Sequence, residues 1–186
     1  MPRPRTDDSR LLDALCEVFR AHGYRGASLT EFSAASGLGR ASLYHRFPGG
    51  KLEMALAVVA HVQQHFGTHV LAPLAGSGAA RGRIGTCAKR IAEFYRDGHA
   101  ACLLDTLAMS DEPQLQSAIS ATFSALLEAF TRVSHESGVP LSRSRQLAEE
   151  AVALIEGALV MSRGAQMTAP FKRFLAELPE RLAPRN

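Results

Sequence analysis

Residues 28–51 read SLTEFSAASGLGRASLYHRFPGGK, and this stretch decides the fold. It opens with Ser28-Leu29-Thr30-Glu31, the spacing of a capping box. The serine hydroxyl can accept from the amide of Glu31, while the glutamate reaches back to the amide of Ser28. A short helix follows and stops at Ser36-Gly37, where a glycine can take the positive φ that a sharp turn needs. A second short helix is predicted from about Arg40 to Phe47, ahead of the breaker Pro48-Gly49-Gly50. In it Leu43 and Phe47 lie four apart and can pack inward together. Arg40, Ala41, Ser42, Tyr44 and His45 take the remaining faces: one long cation, small residues that admit a close backbone, a hydroxyl and two polar-tipped rings. That set suits a recognition helix in the major groove of DNA. The reading is a helix-turn-helix within residues 28–47.

Working outward, helical periodicity dominates and no run of alternating β-branched residues appears. Leu11, Leu15, Val18, Phe19 and His22 form one stripe, with Thr6 or Asp7 as its cap and Gly23 as its end. Beyond the breaker, a long helix is predicted over roughly Leu52 to Leu71, then a loop from Pro73 to Gly85. Ile84, Cys87, Ile91, Phe94 and Tyr95 mark the next helix, closed by Gly98. A short apolar helix spans about Ala101 to Met109. Asp111-Glu112-Pro113 starts another, with a stripe from Leu115 to Val133, and Gly138 ends it. Ser142 caps a helix running to about Gln166, and Pro170 opens a last one that stops ahead of Pro179. The expected architecture is all-α with about nine helices. Residues 1–51 form a three-helix DNA-binding domain and residues 52–186 a helical second domain.

Charge placement agrees. Residues 1–51 carry eight Lys/Arg against five Asp/Glu, while residues 52–186 carry thirteen of each, so the whole net charge of +3 lies in the first quarter. A basic segment beside a neutral body fits a nucleic-acid surface attached to a separate module, and equally a solvated helical face. The 46% hydrophobic content suffices for a core. No apolar run has the length of a transmembrane helix or the form of a signal peptide. Three cysteines, Cys16, Cys87 and Cys102, show no paired spacing, which fits a reducing cytoplasm. No nucleophile elbow, phosphate loop or His-Glu-x-x-His is present, so an enzyme is the weaker reading.

The sequence resembles the TetR/AcrR family of bacterial regulators. The resemblance rests on Gly23-Tyr24-Arg25-Gly26-Ala27-Ser28-Leu29, Ala34-Ala35-Ser36-Gly37-Leu38, Ala41-Ser42-Leu43-Tyr44-His45-Arg46-Phe47 and Lys51-Leu52-Glu53, in that order and spacing. Phe47-Pro48-Gly49-Gly50-Lys51 and Cys102-Leu103-Leu104 resemble its LmrA/YxaF-type branch. The resemblance implies a ligand-responsive, homodimeric repressor that binds a palindromic double-stranded operator and is released by a small-molecule effector of unknown identity. It implies roles for Thr30 on a phosphate, for Arg40, Ala41 and Ser42 at base edges, for Tyr44 and His45 on the backbone and for Lys51 on a phosphate. Arg3 and Arg5 would add a nonspecific arm. The competing assignments are Tyr44 as core, Arg40 as merely solvated and Thr30 as serving only its own helix. Gly39 stands where the family often has a serine cap, and Gly49-Gly50 leaves the fourth helix without a side-chain cap.

The second domain would hold the effector and the dimer contact. By helix position, the effector candidates are Phe66, Phe94, Tyr95, Cys102, Asp105, Met109, Phe123 and Met161. The dimer candidates are Ala151, Ile155, Ala158, Leu159 and Ser162, a small-residue stripe, with Phe171, Phe174 and Leu178; ordinary core is the alternative. His61, His65 and His69 stand at i, i+4 and i+8, but a straight helix spreads them over about 12 Å, too far for one ion. No metal or other cofactor is expected. A role for Cys87 or Cys102 in sensing oxidants, and a DNA-binding protein with no effector, are the remaining alternatives.

Overall fold

The computed structural model describes residues 5–184, with side chains from Asp8 onward. The expected arm residue Arg3 and the side chains of Arg5, Thr6 and Asp7 lie outside that range. The described residues are all-helical. The helices are α1 (Arg5–Gly26), α2 (Leu29–Ser36), α3 (Arg40–Arg46), α4 (Gly50–His65), α5 (Ala80–Phe94), α6 (Leu103–Ala108), α7 (Pro113–Glu136), α8 (Leu141–Gly164) and α9 (Ala169–Leu182). None is long and apolar enough to cross a membrane.

Two compact units result. One holds the described residues up to Gln64 together with Leu103–Ser120; the other holds His65–Cys102 and the described residues from Ala121 onward. The expectation divided the chain at 51/52. Packing divides it later and returns α6 and the first turns of α7 to the N-terminal unit.

In that unit the α1 stripe is buried as its spacing requires: Leu15 and Phe19 are fully enclosed, and Phe19 meets Phe32 of α2 with ring centroids 4.9 Å apart. Gly23 has φ 65°, and the chain then continues one more turn to Gly26. Two demands fall on this glycine. Its φ is left-handed, and a Cβ there would stand 3.1 Å from the Thr106 carbonyl of α6.

In the second unit α9 packs against both α5 and α8. Here the structure corrects the expectations. The fourth helix does not run evenly to Leu71: after His65 it widens into a π-helical turn, Phe66–Leu71, and tightens into a 3-10 turn, Ala72–Ala75. Arg90 Nη1 donates to the His69 carbonyl at 2.6 Å, and Arg83 Nη1 to the Leu74 carbonyl at 2.6 Å, so cations from α5 satisfy two carbonyls of this irregular stretch. α5 begins at Ala80, inside the stretch read as loop. Pro140, not Ser142, stands at the cap of α8. Pro179 lies inside α9 instead of beyond it. A helical proline loses an amide bond and crowds the preceding turn. Its ring finds room against Gly85 of α5, where even a Cβ would be 3.8 Å away.

The residues expected at a dimer contact are inside the chain's own core. Ala151, Ile155, Ala158, Leu159, Ser162, Phe171, Phe174 and Leu178 are all buried within the single chain. Small residues on α8 let α9 approach closely, which is the ordinary-core alternative. Gly98, at φ 93°, belongs to the same packing: a Cβ there would meet Ser162 Oγ at 3.1 Å and Phe171 at 3.2 Å.

Candidate nucleic-acid interface

The capping box at the start of α2 is formed. The Ser28 amide donates to Glu31 Oε2 at 2.7 Å, and the Glu31 amide donates to Ser28 Oγ at 3.4 Å. These two hydrogen bonds, with His22 Nε2 at 3.2 Å from the same carboxylate, hold the Glu31 pKa below the ordinary carboxylate value. α2 ends on Gly37 at φ 70°, ψ 7°, the left-handed cap that the turn requires. Ser36 Oγ donates to the Phe32 carbonyl at 2.6 Å and accepts from the Leu38 amide at 3.3 Å, which fixes the turn from within.

α3 leaves this turn with Gly39 as its extended, side-chain-free cap. Leu43 and Phe47 are buried, at 0% and 7% exposure. They anchor the helix by one stripe, and Arg40, Ala41, Ser42, Tyr44 and His45 stand exposed on the rest. Tyr44 is 49% exposed and so is not core. Arg40 Nη2 donates to Thr30 Oγ1 at 2.7 Å, so the expected base-reading cation and the expected phosphate-facing hydroxyl meet across the two helices. The guanidinium is thus held at the shared edge of α2 and α3. The fourth helix is capped after all, by Glu53: its Oε2 accepts from the Gly49 amide at 2.7 Å. With glycine at both cap positions, this side chain from one turn ahead supplies the bond that a capping residue would otherwise make.

Lys51, the residue expected on a phosphate at the start of the fourth helix, meets the end of α1 and the residue after it. It is half-buried. Its Nζ donates to the carbonyls of Ala27 at 3.3 Å and Arg25 at 3.5 Å, and lies 4.8 Å from the Tyr24 ring centroid. Sequence reading missed Tyr24 as a partner of this lysine. The signal was the family-like Gly23-Tyr24 pair, which states no contact.

The effector candidates scatter. Phe66, Phe94 and Tyr95 form a chain of edge-on rings, each neighbouring pair 5.0 Å apart, and Tyr95 continues to Phe171 at 6.1 Å. Tyr95 Oη donates to Cys102 Sγ at 3.7 Å. Four of the eight are therefore brought together. Phe123 is half-buried on α7. Met109 and Met161 are 78% and 45% exposed, and Asp105 and Met109 fall in the N-terminal unit. Of the three histidines, His65 and His69 stack at 4.3 Å, while His61 bonds Asp13 at 2.8 Å. Burial pushes the Cys87 thiol up to about 12, far from the reactive thiolate a redox sensor needs.

The comparisons with known proteins agree with this geometry. Residues 11–58 match the family model "Bacterial regulatory proteins, tetR family", and residues 82–177 match "Transcriptional regulator LmrA/YxaF-like, C-terminal domain". The HTH-type transcriptional regulator LmrA of Bacillus subtilis is 24% identical over 184 residues, covering 94% of this chain and 97% of that protein. A TetR transcriptional regulator from Legionella pneumophila has a similar fold, with TM-score 0.82, 21% identity and coverage of 98% of this chain and 97% of that one. So does a cysteine mutant of CifR, a TetR family regulator whose solved structure holds operator DNA, with TM-score 0.73, 23% identity and coverage of 99% and 100%. The matching proteins are transcriptional regulators, not enzymes. With the helix-turn-helix match at one end and the regulator-domain match over more than half the chain, the protein belongs to the TetR family of DNA-binding transcriptional regulators, with an LmrA/YxaF-like C-terminal domain.

Proposed function

We propose that the protein is a cytoplasmic homodimeric repressor that reads a palindromic operator with α3 and releases it when a small molecule binds the C-terminal unit. The observation that carries the reading is the face of α3, where five exposed residues are lifted on the buried pair Leu43 and Phe47. Arg40 supplies a bidentate donor for guanine O6 and N7. Ala41 and Ser42 permit close approach to base edges. Thr30, Tyr44 and His45 face phosphates, with Lys51 beside them. One such helix reads only a few base pairs, so a two-fold pair spaced by about 34–36 Å gives the needed specificity.

The dimer surface is the outer face of α8. Leu147, Glu150, Leu154, Gly157, Met161 and Gly164 follow a 3-4 spacing, the heptad seam of paired helices. Leu154 and Met161 are 44% and 45% exposed, and Val160 beside them is 48% exposed. Two unpaired glycines allow close approach of a second copy. For the effector, the clustered rings of Phe66, Phe94 and Tyr95 with Cys102 offer an apolar lining with a polar edge. Binding must favour a conformer with the wrong half-site spacing, since equal affinity for both conformers shifts nothing.

One experiment tests both halves of the operator reading. Selection from a random duplex pool should return a palindrome, and Leu154→Glu should yield monomers in sedimentation that no longer retain it. A non-palindromic site bound equally well by Leu154→Glu would overturn the dimeric reading.

A further inference from the structure

We infer that Tyr24 is a positioning residue for DNA, a bracket held from Glu112 that fixes the Lys51 ammonium at the edge of the reading unit. The inference rests on the proposed phosphate contact of Lys51 and adds the residues that aim it. Tyr24 lies just past the bend of α1. Its hydroxyl donates to Glu112 Oε1 at 3.1 Å, across 88 positions of sequence. One ring neighbour is Phe19, stacked with centroids 6.4 Å apart, and the other is the Lys51 ammonium. Arg25 pairs with Asp111 beside this contact, and α6 packs on α1 through the bare Cα of Gly23. The residues just before α7 therefore grip the end of α1 at two successive positions.

The chemistry favours a fixed bracket. An ammonium has three donors; the Ala27 and Arg25 carbonyls receive two, and the ring face attracts its charge. A phenol keeps its proton at neutral pH and so donates to Glu112; burial, then the hydrogen bond and charge of Glu112, push the Tyr24 phenol further up, to about 12. The four-carbon lysine stem is flexible, and ordering it before DNA arrives moves that entropy cost from binding into folding. Without the bracket the same lysine reaches the phosphate only after losing its rotamer freedom there.

The test is a double-mutant cycle on the full-length protein, using a mixed-sequence DNA duplex, because a phosphate contact needs no particular operator. Lys51→Ala should weaken binding and lower the salt slope by about 0.9. Glu112→Ala and Tyr24→Leu should each weaken binding by about three- to tenfold in the native background and by less than about twofold in Lys51→Ala. Glu112→Gln, which keeps an acceptor for the phenol, should recover most of the affinity. Glu112→Ala is the decisive variant if Tyr24→Leu fails to fold. Equal losses in both backgrounds, or no loss from Glu112→Ala, would overturn the bracket while leaving Lys51 on its phosphate. An unchanged salt slope in Lys51→Ala would overturn the phosphate reading itself, and the bracket with it.

Discussion

α3 and α8 solve opposite problems. α3 has seven residues and one buried side chain of its own, Leu43, so nearly everything else on it faces outward. Its outward residues are chemically distinct from its anchor, and the two sets separate on sight. α8 has 24 residues with an inward row running from Ser144 to Ser162. Its outward row, with Leu154, Gly157 and Met161, is also apolar or small except at Glu150. A helix with two apolar faces tells the reader that it has two neighbours, but composition does not say which face meets which. That is why the outward residues of α3 are exposed as the helix period predicts, while the row on α8 expected at a dimer contact is buried within the single chain.

The contrast can be broken or sharpened by mutation. The largest effect belongs to the second unit's core: Phe171→Ala should lower unfolding stability by about 3–5 kcal/mol, because the ring is fully buried beside Tyr95 and Gly98. Chemical denaturation measures this, and a loss below about 1 kcal/mol would mean that α9 is not held as described. Next, Arg40→Ala should cost about 1–3 kcal/mol of operator binding and relax preference at one base pair, with stability changed by no more than about 0.5 kcal/mol. If stability falls and base preference stays, Arg40 serves the fold through Thr30 and not the DNA. The smallest effect is at the cap: Ser28→Ala should cost about 1 kcal/mol of stability. Its pH dependence has a defined sign. The folded Glu31 pKa is depressed, so the stability its carboxylate contributes is present above the ordinary carboxylate value and is lost as pH falls through the folded value. Removing Ser28 should flatten that acid limb in denaturation curves, and an unchanged limb would disconnect the capping box from it.

The helix-turn-helix was legible because its signals are local. Ser28 and Glu31 are three apart, and Gly37 stands where a left-handed turn must be. Leu43 and Phe47 are one turn apart, so their burial follows from the helix period. Other features depended on distant chain. Pro179 reads as a stop, yet Gly85 on another helix gives its ring space. Gly49-Gly50 reads as an uncapped start, yet Glu53 turns back to it, a bond that spacing permits but does not require. The aromatic cluster of Phe66, Phe94 and Tyr95 begins where the helix widens after His65, and Arg90 and Arg83 of α5 donate to the carbonyls of His69 in that turn and Leu74 in the next.

By itself, the sequence determined an all-helical chain, the reading helix with its outward set of side chains, and the family. Each of these follows from contacts within one or two turns or from a contiguous motif. Tertiary structure decided which face of α8 stays exposed, which four effector candidates meet, and that Lys51 rests on Tyr24, itself held by Glu112. These depend on groups brought together from tens of positions apart. Periodicity fixes which residues share a helix face, but only packing chooses what that face meets.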